Sequence, residues 1–166
     1  ITATCNEKII KAEIQKKKDF NEKAANEKVN KELKKEMEIQ NKAKVQDVKI
    51  EILEKIKNLG DINFFADEVD LDPRSIKELC FILADQIDNL FIVLLSNNNG
   101  KVFISCFISK NLVENKGINA SEIIKDLSPL ISGSGGGQAF YATGGGGNLK
   151  GISSVISRSE EIVNQI

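Results

Sequence analysis

Neither glycine nor proline occurs between Ile1 and Leu59. A stretch of that length without either residue contains nothing that breaks a helix. Its apolar residues recur at helical intervals, at Val29, Leu33 and Met37 and then at Val45, Val48, Ile52, Ile56 and Leu59. This spacing predicts a long amphipathic helix with one narrow stripe. Such a stripe has no core of its own, so it needs a cover. Either the helix folds back near Asp19 to Asn21, or it pairs with a second chain as a coiled coil. The Lys16 to Lys18 run before that bend reads as a solvated face.

Composition shifts near Gly60. Up to that residue 15 lysines face 11 acids, a net charge of +4; from Asp61 onward 8 Lys or Arg face 13 acids, a net charge of −5. We therefore expect a helical, dimerising segment over 1–60 and a globular domain over 61–166. In the second part, Ile62 to Ala66 reads as a strand. Asp72 and Pro73 supply an N-cap and a first-turn proline for a helix to about Ile87, buried through Ile76, Leu79, Cys80, Leu83 and Ile87. Leu90 to Leu95 and Val102 to Ile108 read as strands joined through Asn97 to Gly100 as a hairpin. A helix from Ser121 to about Leu130 and another from about Leu149 complete the pattern. The expected fold class is α/β (α+β), a long helix or helical hairpin followed by a small mixed-sheet sandwich.

The chain has no histidine. That removes the commonest general base, the Ser/His/Asp triad and every histidine-bearing metal site. Cys5, Cys80 and Cys106 are odd in number and widely spaced, which suggests neither a disulfide framework nor a zinc ribbon and fits a reducing cytoplasm. Cys80 and Cys106 sit in apolar surroundings and are expected in the core. Asp67, Glu68, Asp70 and Asp72 are the only dense acids and read as a solvated strand-to-helix turn. No metal site is expected. No run of about 18 apolar residues is present, so no membrane span is expected. A start at Ile1 suggests a piece of something longer.

The stretch ISGSGGGQAFYATGGGGNLKG, from Ile131 to Gly151, then needs a reading. Ala139 to Ala142 has β-rich character, which suits a short strand entered and left through glycine turns. Glycines at positive φ would expose backbone N–H groups on either side, with Asn148 capping the helix that follows. The dinucleotide spacing GxGxxG fails at Gln138 or at Phe140, and the Walker pattern is absent. ATP and NAD are therefore disfavoured. Phe140 and Tyr141 should point to opposite sides, with polar-tipped Tyr141 the more exposed. An exposed aromatic beside free N–H groups suits stacking on a nucleobase.

The same stretch resembles the glycine-rich signature that closes the DHH-associated domain in the C-terminal region of alanyl-tRNA synthetase. Gly133, Gly135, Gly136, Gly137, Gln138, Ala142, Gly144, Gly145 and Gly146 occupy matching positions. Phe64 to Asp72 and Ser109 to Leu127 resemble two further stretches of that family, and Ile1 to Ala3 resembles the end of its editing domain. Ala139 stands where the family usually has proline, and Gln138 where arginine is common. The related DHH phosphodiesterases carry a histidine after these glycines, so Gln138 also departs from them.

The resemblance implies a non-catalytic region that binds the elbow of tRNA(Ala), dimerises, and links aminoacylation with editing of mischarged tRNA. Both chemistries lie in upstream domains of the same enzyme, which use ATP with magnesium and a zinc ion; no cofactor is expected in this region. The residues expected to meet RNA are Gly135, Gly136, Gly137, Gln138, Tyr141, Gly144, Gly145, Gly146 and Asn148, with Lys110, Lys116 and Lys150 on phosphates. A different reading is a purely structural module in which the helix dimerises and the globular part caps it. The acidic balance of the globular part argues against broad, nonspecific RNA affinity.

Overall fold

The computed structural model describes the backbone of residues 2–166 and the side chains of residues 7–166. Ile1 and the side chain of Cys5 lie outside the described residues. The first helix, α1, runs Thr2–Lys55 as one element of 54 residues. It does not fold back at Asp19 to Asn21, where neither glycine nor proline interrupts it; there the Gln15 amide donates to Asp19 Oδ1 at 3.0 Å, one turn apart.

The chain divides into two units, Ile1–Lys42 and Ala43–Ile166. Within the first, the apolar side chains Ile10, Ile14, Val29, Leu33 and Met37 are exposed. Within the second, the last turns of α1 belong to the core: Ile52 is fully buried, Val45 nearly so, and Val48 and Ile56 pack beside them.

A six-stranded mixed sheet follows, built from β1 (Lys57–Leu59), β2 (Ile62–Glu68), β3 (Leu90–Asn98), β4 (Lys101–Ile108), β5 (Gly133–Gly137) and β6 (Tyr141–Gly146). Its order is β1-β2-β3-β4-β6-β5. Only β2 and β3 run parallel, since helix α2 (Pro73–Ala84) carries the chain across between them; every other pair is antiparallel. Asp72 caps α2, accepting from the backbone N–H of Arg74 at 3.0 Å and of Ser75 at 3.1 Å. The β3-β4 hairpin turns at Asn99 and Gly100, with φ of 52° and 80°, the left-handed pair that a two-residue turn of this hand requires.

Alternation along β3 feeds two cores. Phe91, Val93 and Leu95 pack with Ile104, Cys106 and Ile108 of β4 beneath α4 (Ala120–Leu127) and α5 (Ile152–Asn164). Leu90, Ile92 and Leu94 pack on the opposite face with Ile76, Leu79, Cys80 and Leu83 of α2 and with the end of α1. Both faces of the central strands are covered, which explains their continuous apolar runs. Sequence reading passes over two short elements, β1 and the helix α3 (Lys110–Lys116). The first has three residues and the second seven, too few for a periodicity to show.

Candidate functional site

The glycine stretch differs from the expected turn, strand and turn. The glycines themselves are the strands: Gly133 pairs with Gly146, Gly135 with Gly144 and Gly137 with Ala142, and residues 138–140 make the turn. Gln138 N–H closes that turn by donating to Tyr141 O at 2.8 Å. None of these glycines has a positive φ. Their role is spatial. A Cβ on Gly135 would lie 2.5 Å from Ile124 Cγ2 of α4, and one on Gly146 would collide with Ile131 O. Gly133, Gly137 and Gly144 are similarly enclosed, the last by Ser128 Oγ at 2.5 Å.

Gly136, Gly145 and Gly147 are different. A Cβ would meet nothing nearer than Ser121 Oγ at 3.8 Å on Gly136 and Val102 O at 3.7 Å on Gly145, and Gly147 faces open space. Folding gives no steric reason for glycine at these three. β5 is also the last strand of the sheet, so one side of its backbone has no strand partner.

The hairpin is held at both ends. At the tip, Ala139 O accepts from Ala120 N–H at 2.8 Å and Phe140 O from Ile108 N–H at 2.9 Å. At the open end, Asn148 N–H donates to Ile131 O at 3.0 Å and its side-chain amide to Leu130 O at 3.2 Å. Asn148 therefore does not cap a helix: its amide is engaged with Leu130, and a 3-10 turn, Leu149–Gly151, separates it from α5.

Tyr141 and Phe140 are both partly buried against the α2 face of the core. Burial pushes the Tyr141 phenol above its ordinary value, with hydrogen bonding to Ser105 opposing the rise. Its ring lies 6.1 Å from that of Phe81, and Lys77 Nζ stands 5.6 Å from its centre, within cation–π range. Phe81 meets Phe107 edge-on at 5.5 Å yet remains 40% exposed. Arg74, Lys77 and Phe81 line one shallow hollow at spacings that share a helix face. Sequence reasoning missed this row. The available signal was an aromatic residue lying off the Ile76, Leu79, Cys80, Leu83 stripe.

Lys110 begins α3 near the hairpin tip, Lys116 ends that helix, and Lys150 lies in the 3-10 turn beyond the open end. All three, and Gln138, are exposed, and none of the three lysines forms an ion pair among the described residues. The six residues of β6 span roughly 20 Å at the strand rise. The expected glycines, Gln138 and Tyr141 thus lie along one hairpin rather than in a pocket, with Lys110 near its tip, Lys150 beyond its open end and Lys116 at the end of α3.

The acids before α2 have structural partners. Asp70 pairs with Lys44 at 2.8 Å, and Asp67 Oδ1 accepts from Glu68 N–H at 2.8 Å. Burial alone would raise the Asp72 carboxyl, but hydrogen bonds from Ser75 and Arg74 outweigh it and hold it below the usual range. Among the described residues no group of three or more His, Cys, Asp or Glu is arranged to hold a metal, and no helix is long and apolar enough to cross a membrane. Cys80 and Cys106 are buried; burial pushes the Cys80 thiol up to about 12 and the Cys106 thiol well up, which makes both poor nucleophiles.

Known proteins share this pattern. The DHHA1 domain matches residues 61–165. The chain is 39% identical over 131 residues to the alanine-tRNA ligase of Christiangramia forsetii, covering 79% of this chain and 15% of the relative. It is 41% identical over 109 residues to that of Cytophaga hutchinsonii, covering 65% of this chain and 12% of the relative. The chain thus spans less than a sixth of the length of these relatives. The crystal structure of the C-Ala domain from Aquifex aeolicus alanyl-tRNA synthetase has the same fold, with a TM-score of 0.60 at 23% identity, over 66% of this chain and 98% of that one. The resemblance to the C-terminal region of alanyl-tRNA synthetase stands, and with it the chain belongs to the DHHA1 domain family.

Proposed function

We propose that this chain is the tRNA-binding C-terminal part of an alanine-tRNA ligase and holds the outer corner of the L-shaped tRNA along its glycine hairpin. The observation that carries the reading is the pair Gly136 and Gly145, which remain glycine with no internal neighbour that requires it. A backbone bare of side chains lets a sugar or phosphate approach closely. Gln138 and Tyr141 flank that surface, Lys110, Lys116 and Lys150 stand ready for phosphates, and Lys77 adds a cation beside Tyr141.

The part played is positioning. Aminoacylation with ATP and magnesium, and editing at a zinc-bearing domain, belong to upstream domains of a cytoplasmic enzyme, and this region links the two by keeping one tRNA engaged. It supplies no catalytic group. Filter binding at low salt tests the reading with tRNA(Ala) and with a hairpin of its acceptor stem alone. Retention of the full tRNA with loss of the stem hairpin is expected. Equal retention of both, or no retention where an intact ligase binds, overturns it.

A second reading rests on the exposed apolar side chains of α1, Ile10, Ile14, Val29, Leu33 and Met37 among them. Those side chains suit pairing with a second copy of the helix, so that the chain dimerises its parent. The two roles are compatible, and light scattering of the chain separates a dimer from a monomer independently of RNA.

A further inference from the structure

The tip of the glycine hairpin borders a cleft of about 310 Å³, formed with the end of α2 and the loop after it, the end of β4 and the start of α3. Phe81 and Phe140 supply aromatic surface, with Phe107, only 5% exposed, beneath Phe81; Asp85, Asp88, Asn89, Asn111 and Lys110 contribute polar and charged groups. The volume lies at the small end of ligand sites, the scale of a single nucleoside rather than a helix or strand. Neither Asp85 nor Asp88 has a side-chain partner among the described residues; Asp88 lends only its backbone oxygen, to Asn63.

Two free carboxylates repel a phosphate or an acidic side chain. An occupant with a flat apolar face for the rings and N–H donors at its edge suits both the aromatic and the acidic groups. Among the four RNA bases, guanine alone offers two adjacent donors, N1–H and its amino group, which match the two oxygens of one carboxylate. Adenine, cytosine and uracil each place an acceptor directly beside their edge donor, against the negative charge, whereas the guanine O6 lies outside the donor pair. Lys110 provides a cation for the attached phosphate.

We propose that this cleft takes one unstacked guanine of the bound RNA, an inference that rests on the tRNA-binding reading above. Aromatic walls hold the base by its faces, and Asp85 or Asp88 accepts from its Watson–Crick edge. Specificity then sits at the hairpin tip, and the bare strands beyond it hold the backbone.

The test titrates the chain with GMP, AMP, CMP and UMP while the ring resonances of Phe81, Phe107 and Phe140 are followed by NMR, and measures tRNA(Ala) retention in parallel. GMP is expected to move all three rings, with the other nucleotides bound about tenfold more weakly or less. Asp85→Asn together with Asp88→Asn should level the four nucleotides, and both positions are exposed enough to leave folding intact. Phe140→Leu keeps an apolar side chain but removes the stacking face, and should weaken GMP about tenfold. If tRNA is retained while GMP leaves the rings unmoved or shows no preference, the cleft assignment falls alone. If GMP enters the cleft and tRNA is not retained, the tRNA reading falls and with it the assignment of the guanine to a bound RNA, leaving a site for a free guanine nucleotide. Displacement of the rings by an arginine-bearing peptide but not by GMP overturns the assignment in favour of a protein partner.

Discussion

Gly135 and Gly136 are neighbours with opposite expectations. An alanine at 135 drives its Cβ into Ile124 and the β6 backbone, so Gly135→Ala should cost about 1 to 3 kcal/mol, the usual range for overpacking a close contact. The open neighbour behaves otherwise: Gly136→Ala meets only Ser121 Oγ at 3.8 Å and should leave stability unchanged or raise it by about 0.4 to 1 kcal/mol. Urea denaturation of both variants reads this directly. On the proposed function, a bulkier Gly145→Val should remain folded yet weaken tRNA binding about tenfold. Tyr141 offers a separate check because it is the only tyrosine in the chain. Its absorbance near 295 nm therefore titrates one group, and its midpoint in the native protein should lie above the ordinary value of 10.0 and return to it in denaturant. The sign follows: a raised folded pKa for an acid means that its contribution to stability is complete below the unfolded pKa and is lost as pH rises through the folded one.

Elements differ in how much of them the residues announce. α1 was legible from the lack of helix breakers, and α2 from Asp72-Pro73, because each signal acts locally along the chain. The point at which α1 becomes buried was not. Leu33 and Ile52 are equally apolar and equally periodic, yet one is exposed and the other fully buried, a difference made by Phe65 and α2 packing around the last turns. Ile52→Ala should accordingly destabilise the globular unit by about 2 to 5 kcal/mol, whereas Leu33→Ala should have little effect on its unfolding midpoint. The glycine hairpin misled for a related reason. Glycine has poor strand propensity, so a reading by side chains sends it to turns. What places it in β5 and β6 is the nearness of Ile124, Ser128 and Ile131, which only the assembled fold brings in. Of the candidate site, the glycines, Tyr141 and the lysines were visible from their order along the chain. Phe81 and Lys77 were not, because only the assembled fold brings α2 to Tyr141, and Arg74 shares their helix face.

At the scale of the whole molecule, charge limits what binding can look like. The chain is close to neutral, with the globular part carrying the acidic excess. A handful of dispersed cations should give a shallow dependence of affinity on salt, with each of Lys110→Ala, Lys116→Ala and Lys150→Ala lowering the slope of log K against log salt by about 1 if that lysine touches a phosphate. Binding measured across a salt series would show it; a slope unchanged in all three variants assigns the phosphates to other residues. The edge strand adds a further constraint. β5 reads Gly-Ser-Gly-Gly-Gly, so what it presents is almost pure peptide. A ribbon without side chains has no vocabulary for bases; it can gauge only how closely a backbone lies and how sharply it bends. On the proposed function such a surface would accept any RNA with the right curvature, and it would leave to the rest of the enzyme the choice of which amino acid's tRNA has arrived.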